Sequence, residues 1–302
     1  MNMSKSENVN KFKGYVYGII TSVTFGMIPL FSLPLMAKGM SYDSILFYRF
    51  LFATAALGIM LLVTGQSFRI SRKDIPVIIL LGFFYTGSAM FLFKGYDFMG
   101  AGVATAIHFT YPVFVTLLML IIFREKTSWL TWLAIVLAVF GVAIISIRGS
   151  ELTMDVVGLI IVLLSAVAYA SYILTVNKSR VSDMNGRKLA FYVFIVSTIL
   201  FGIKATVGGG IEKVPDGVSY VNLVLLAVVP TVISNITLVQ AVHNIGGTLT
   251  SVLGAMEPVT ALLIGILVFG EGFSVQEGIG VLLIIAAVTI IILSDSIKKS
   301  FT

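Results

Sequence analysis

Two stretches of this sequence place reactive side chains beside a proline inside apolar chain. In LGAMEPVTALL, Leu253 to Leu263, the carboxylate of Glu257 precedes Pro258. In IHFTYPVFVTLL, Ile107 to Leu118, His108 and Tyr111 precede Pro112. A charge at the centre of a membrane helix costs about 2.5–3.5 kcal/mol on insertion scales. Glu257 would therefore hold a proton, pair with a cation, or take up and release a proton. Proline has no N–H, so it frees the carbonyl four residues earlier, Gly254 for Pro258 and His108 for Pro112. A freed carbonyl is tolerated at membrane depth where it faces protein or a water-filled cavity. We expect Pro112 and Pro258 to kink their helices around a central cavity. The competing reading is that the kinks shape packing and that Glu257 is a protonated, hydrogen-bonded structural acid.

Hydroxyls and rings recur at helical spacing elsewhere: Thr21, Thr24 and Phe25; Tyr85 and Ser88; Ser165, Tyr169 and Tyr172; Thr231, Ser234 and Asn235. Residues three, four or seven apart share a helix face. Such faces should look inward, where they can bond to other helices or to a solute. The expected solute contacts are Thr24, Tyr85, Ser88, His108, Tyr111, Tyr169, Tyr172, Asn235 and Glu257, with Glu257 as the candidate for proton coupling. Packing between helices is the rival use of the same residues. Arg49 is a further site candidate, for which the favoured reading is a side chain reaching out to the membrane surface. Glu125 and Glu271 are read as caps beyond their helices, and Trp129 and Trp132 as interfacial anchors.

The elements that would position these residues are membrane spans. Of the 302 residues, 58% are hydrophobic and 11% charged, against about a quarter charged in a soluble domain. Ten apolar runs are each long enough to cross a hydrocarbon core of about 30 Å as a helix: 14–37, 45–65, 75–97, 100–123, 129–147, 155–177, 187–207, 219–243, 247–269 and 275–294. Runs of this length mean helices, since barrel strands are about half as long and alternate. The fold class is all-α integral membrane, ten transmembrane helices. Placing both termini in the cytoplasm divides the 20 Lys and Arg 14 to 6 in favour of the inner side, as the positive-inside rule requires. Residues 1–13 form a polar cytoplasmic tail, expected to be mobile at its start, and 295–302 a second tail. The net charge of +6 thus reports topology, and no nucleic-acid partner is expected.

The chain also repeats itself. At an offset of 146, Gly100 corresponds to Gly246, Thr105 to Ser251, Pro112 to Pro258, Phe123 to Phe269 and Glu125 to Glu271. Earlier in each half, Gly14 corresponds to Gly158 and Phe25 to Tyr169, at an offset of 144. An odd number of spans per half, five, turns the second half upside down relative to the first. Inverted repeats of this kind place a transporter's substrate near the midplane, at broken helices.

The paired segments TYPVFVTLLMLIIFREK and MEPVTALLIGILVFGEG, with FYRF at 47–50, resemble the drug/metabolite transporter superfamily, two tandem EamA-type five-helix domains at 14–148 and 155–294. One departure is Arg124, where the second half has Gly270. The resemblance implies a secondary transporter of small organic metabolites in the cell membrane, working by alternating access, with efflux favoured. A solute would bind between spans 1, 3, 4, 6, 8 and 9. Spans 5 and 10 would lie at the periphery, where homodimer contacts could form. A non-transporting receptor or scaffold is the alternative.

Other chemistry finds little footing. There is no Walker lysine motif, no Cys and no HExxH, and the two histidines lie far apart. No metal, cofactor or catalytic residues are expected. The partners expected are the lipid bilayer and a small-molecule substrate.

Overall fold

The computed structural model of this protein describes residues 2–124, 129–148, 151–152, 155–254 and 256–300. Seven of its helical segments are long and apolar enough to cross a membrane, and three shorter apolar helices, at 132–144, 256–269 and 275–290, accompany them. Together they occupy the ten runs expected from hydropathy. This is an all-α, multi-pass membrane protein.

Span 1 is α1 (Asn2–Gly26) and α2 (Ile28–Ala37), interrupted at Met27. The polar residues expected to be a mobile tail are helical from Asn2. α3 (Tyr42–Val63) and α4 (Ile75–Gly95) are continuous. Span 4 is divided into α5 (Ala101–His108) and α6 (Tyr111–Phe123), and α7 (Trp129–Ser146) completes the first half. A two-residue antiparallel pair, Ile147 with Leu152 and Arg148 with Glu151, joins the halves. The second half holds α8 (Val156–Lys178), α9 (Gly186–Val207) and α10 (Gly217–Ala227). A π-helical turn, Val228–Ile233, leads into α11 (Ser234–Leu253), then come α12 (Met256–Phe269) and α13 (Val275–Ser300).

Equivalent helices of the two halves run antiparallel. Along α3 and α9, Asp43 meets Lys204, Phe50 stacks on Phe201 at 5.7 Å, and Gly58 lies against Phe191. Along α7 and α13, the Gln276 amide donates to the Ile144 carbonyl at 3.2 Å, and Ala134 and Ala138 share a small core with Ala287. The remaining contacts exchange between halves. α1 lies on α11, with Thr21 Oγ1 and Thr237 Oγ1 2.7 Å apart, and α8 lies on α4, where Ser165 Oγ donates to the Ser88 carbonyl at 2.7 Å. This is the arrangement an inverted repeat requires.

The link expected at 243–247 differs from expectation, because α11 continues to Leu253. The neighbours of α1 show where the chain goes. Thr21 meets Thr237 and Gly14 meets Ile245, after which Gly18 meets Leu253 and Gly26 meets Thr260. The chain passes along α1 in one direction and returns in the other. Gly26 permits the return, since a Cβ there would lie 2.6 Å from the Glu257 carbonyl oxygen.

The turn between the halves of span 4 and the one before α12 explain the prolines. Pro112 and Pro258 do not bend a continuous helix. Each stands in the first turn of a new one, where the missing N–H would have no partner in any case. Thr110 N–H and Val113 N–H close three-residue turns on Ile107 O and Thr110 O, at 3.0 and 2.9 Å. The Gly254 carbonyl, which Pro258 would leave free, accepts from Glu257 N–H at 2.9 Å.

Candidate functional site

The site starts from a proline that sequence reading passed over. Pro230 lies in the π-helical turn and offers no N–H to the carbonyl four residues back, Leu226. The Thr231 hydroxyl donates to that carbonyl instead, at 3.0 Å. Its oxygen then accepts from Nε of Arg49 at 3.0 Å. Arg49 is 3% exposed, and its guanidinium carbon lies 5.4 Å from the Phe50 ring centre and 6.0 Å from that of Phe93. Cation–π contacts of this kind help hold a desolvated cation.

The expectation that Arg49 reaches the membrane surface is therefore corrected. α3 begins at Tyr42, so Arg49 stands about two turns inside it, and its side chain turns into the protein. An arginine within an apolar span is expensive and marks a functional site by default. That signal was present in FYRF.

The second group lies on α4, α5 and α8. Ser165 Oγ donates its proton to the Ser88 carbonyl at 2.7 Å, and His108 Nδ1 lies 2.9 Å from the same oxygen. When Ser165 donates to the Ser88 carbonyl, its oxygen can accept from His108 Nδ1–H, an arrangement that leaves Nε2 to face other partners. Tyrosines surround this pair. Tyr111 meets Tyr169 edge-on at 4.8 Å, Tyr169 stacks with Tyr172 at 5.9 Å, Tyr85 meets Tyr172 at 5.1 Å, and His108 lies 5.5 Å from Tyr169. The three-, four- and seven-residue spacings on α4 and α8 produce this box by stacking the rings on facing helices.

Two cavities with a common wall result. A deep chamber of about 50 Å³ is lined by Arg49, Tyr85, Ser88, His108, Tyr169 and Glu257, among others. A vestibule of about 340 Å³ shares Phe25, Tyr85 and Tyr169 with it. The vestibule adds Tyr111, Tyr172 and Asn235 and runs to Gly186 and Arg187. Gly186 is exposed at the start of α9, so the vestibule opens at that end. Its size falls in the range of small-molecule sites, about 300–1,000 Å³.

Glu257 enters the chamber from the first turn of α12, where the positive end of the helix dipole favours an acid. Neither Arg49 nor Glu257 makes an ion pair among the described residues.

Eight of the nine expected solute contacts line one cavity or the other. Thr24 does not, because its hydroxyl donates back into α1, to Ile20 O at 2.6 Å and Thr21 O at 3.0 Å. Its neighbour Phe25 takes the cavity wall. Glu271 bonds across the repeat. Its Oε1 accepts from Ala101 N–H at 2.9 Å, at the start of α5. Its symmetry mate Glu125 lies outside the described residues. The chain takes the same left-handed turn at Arg124 as at Gly270, with φ of 52° and 65°, so the sequence departure there leaves the backbone unchanged.

The description EamA-like transporter family matches this chain twice, over residues 12–147 and 156–293. This protein belongs to the EamA-like transporter family. It is similar to YdfC of Bacillus subtilis, an uncharacterized transporter, at 27% identity over 78% of this chain and 76% of the relative. It is also similar to YxxF of the same organism, another uncharacterized transporter, at 23% identity over 94% and 91% of the two chains. A solved crystal structure shares the fold with a TM-score of 0.65 at 17% identity, covering 92% of this chain and 95% of the other. An EamA-like protein with this site is a multi-pass membrane transporter of small molecules.

Proposed function

We propose that this chain is a secondary transporter that exports small zwitterionic metabolites by alternating access across the cell membrane, with both termini in the cytoplasm. One observation carries the reading: a vestibule enters from the end where α9 begins and leads to a chamber holding Arg49 and Glu257, with no ion pair between them. A solute that brings an anionic group to Arg49 and a protonated amine to Glu257 would compensate both charges. Desolvated charges without such partners are costly. The tyrosine box supplies ring faces and hydroxyls for the rest of the solute. The positive residues around the start of α9, Arg187 and Lys188, support a cytoplasmic location for the open end, where an exporter would load.

Glu257 is also the group through which a proton could be coupled to transport. The bilayer covers the outer faces of α7 and α13, where Val139, Phe140 and Leu282 are exposed. A homodimer would form on those faces.

The test is reconstitution in liposomes loaded with a mixed metabolite pool, with and without a pH gradient. We expect selective loss of zwitterionic solutes, slowed in Glu257→Gln and in Tyr169→Ala. Folded variants that both transport like the parent would remove these residues from the site. No loss of any solute would turn the reading towards a receptor or scaffold, and flux indifferent to the gradient would remove proton coupling.

A further inference from the structure

The two ends of the cavity share a tyrosine–carbonyl bond and an ion pair made by repeat-related residues, and differ in the rest of their bonds. At the end where α3 begins, the Lys38 ammonium pairs with Asp216 at 2.6 Å and reaches Ser219 Oγ at 3.3 Å. The Tyr48 hydroxyl donates to the Glu212 carbonyl at 2.9 Å, and the Glu212 carboxylate accepts from Ser41 N–H at 2.8 Å. Glu212 N–H donates to Ser44 Oγ at 3.0 Å. α2 lies beneath this network, with Phe31 and Leu35 in the core beside Leu223 and Leu226 of α10.

At the end where α9 begins, the Tyr192 hydroxyl donates to the Phe68 carbonyl and the Lys188 ammonium to the Arg69 carbonyl. Arg180 and Asp74 stand 3.8 Å apart, beyond hydrogen-bond reach.

These are equivalent contacts. An offset of 144 converts Tyr48 and Glu212 into Tyr192 and Phe68 read the other way round. An offset of 142 converts Lys38 into Arg180 and Asp74 into Asp216. Two differences separate the ends. The ion pair is hydrogen-bonded at one, 2.6 Å, and looser at the other, 3.8 Å. The carboxylate of Glu212 binds the start of α3, whereas its counterpart Phe68 packs on Phe191, ring centres 5.4 Å apart.

We propose that Lys38–Asp216 and Glu212 form the outer latch of the carrier, and that Arg180–Asp74 is its inner counterpart, closing as the outer latch opens. Glu212, which has no acidic mate at the inner end, biases the empty carrier to face the cytoplasm. The assignment rests on the alternating-access reading above. The Lys38 ammonium and the Ser219 amide hold the Asp216 carboxyl down to about 2, so the pair is charged throughout the physiological range. Partly exposed ion pairs are weak, as a latch that opens in every cycle must be.

The chain has no Cys, so Ala89→Cys, in the wall of the deep chamber, gives a single reporter. Its labelling by a membrane-impermeant maleimide is measured from each face, in intact cells and in inverted vesicles. We expect the parent reporter to label from the cytoplasmic face. Lys38→Glu and Glu212→Ala should raise labelling from the outer face about tenfold, a small population shift. Lys38→Arg should leave outer labelling at the parent rate, and Asp74→Asn, which weakens the inner latch, should lower it. The latch is overturned if Lys38→Glu and Glu212→Ala label from outside no faster than the parent, or if Asp74→Asn accelerates outer labelling as much as they do. A parent reporter that labels from the outer face alone would sink the proposed orientation, while the change between parent and variants would still decide the latch.

Discussion

The two halves of this transporter share a scaffold and differ in where it breaks. Pro112 and Pro258 are repeat-related, and a helix starts anew at each. Pro230 has no proline counterpart, because α4 holds no proline beyond Pro76 in its first turn. The second half has a π-helical turn at Val228–Ile233, whereas α4 runs unbroken from Ile75 to Gly95. Pro29 and Pro34 have Ile173 and Lys178 as counterparts. Span 1 is interrupted at Met27, whereas α8 runs unbroken from Val156 to Lys178. A missing N–H accompanies each break, since the carbonyl it leaves must find another donor, whereas Pro34 stands inside α2 without interrupting it.

The side chains divide the same way. His108 corresponds to Gly254, Tyr111 to Glu257, and Arg49 to Val193. Shared residues build the container, and residues present in one half furnish it. A small solute with unlike ends needs unlike groups on the two sides of a pseudo-two-fold axis.

Three substitutions would break or sharpen this comparison. The largest effect is expected from Arg49→Val, which gives the first half the residue of the second. Transport in liposomes should fall at least tenfold, as expected for losing a charge-assisted contact worth about 1.5–3 kcal/mol. Arg49→Lys should recover part of it. Unchanged transport in Arg49→Val would mean that the asymmetry at this position serves packing.

Pro230→Ala comes second. It returns an N–H to the Leu226 carbonyl, releases the Thr231 hydroxyl and lets the π-helical turn relax towards α4-like geometry. The expected result is a several-fold rise in KM in a protein that still folds. A KM equal to the parent's would separate the turn from solute binding.

Arg124→Gly should have the smallest effect. Arg124 alone among the described non-glycine residues has positive φ, and the left-handed conformation costs about 1–2 kcal/mol outside glycine. The substitution should raise stability by about 1 kcal/mol, read as a higher Tm in detergent, with transport unchanged. A lower Tm would show that the arginine side chain contributes more than the turn costs.

Much of the site could be read before the fold was known. Tyr85 and Ser88, and Tyr169 and Tyr172, fall on one face of their helices by spacing alone, and His108, Tyr111 and Glu257 are marked by their neighbouring prolines. Arg49 was misjudged because its depth was measured from an apolar boundary at residue 45, while α3 starts at Tyr42. Its direction depends on Thr231, 182 residues away. Thr24 was misjudged for the opposite reason. It lies on the expected face, but a threonine hydroxyl can satisfy itself on its own helix, and periodicity does not say which bond it will choose.

The sequence by itself determined that the chain is an all-α, multi-pass membrane protein, that its two halves repeat, and that polar groups gather near repeated prolines. Hydropathy, spacing and charge are local quantities, and each acts on the chain before any two helices meet. Tertiary structure alone decided that Arg49 and Glu257 share one chamber without pairing, that the vestibule opens where α9 begins, and that the Lys38–Asp216 pair is tight at one end while Arg180–Asp74 is loose at the other. Those facts depend on distances between residues far apart in the chain, which are set when the helices pack and one of two nearly equivalent arrangements prevails.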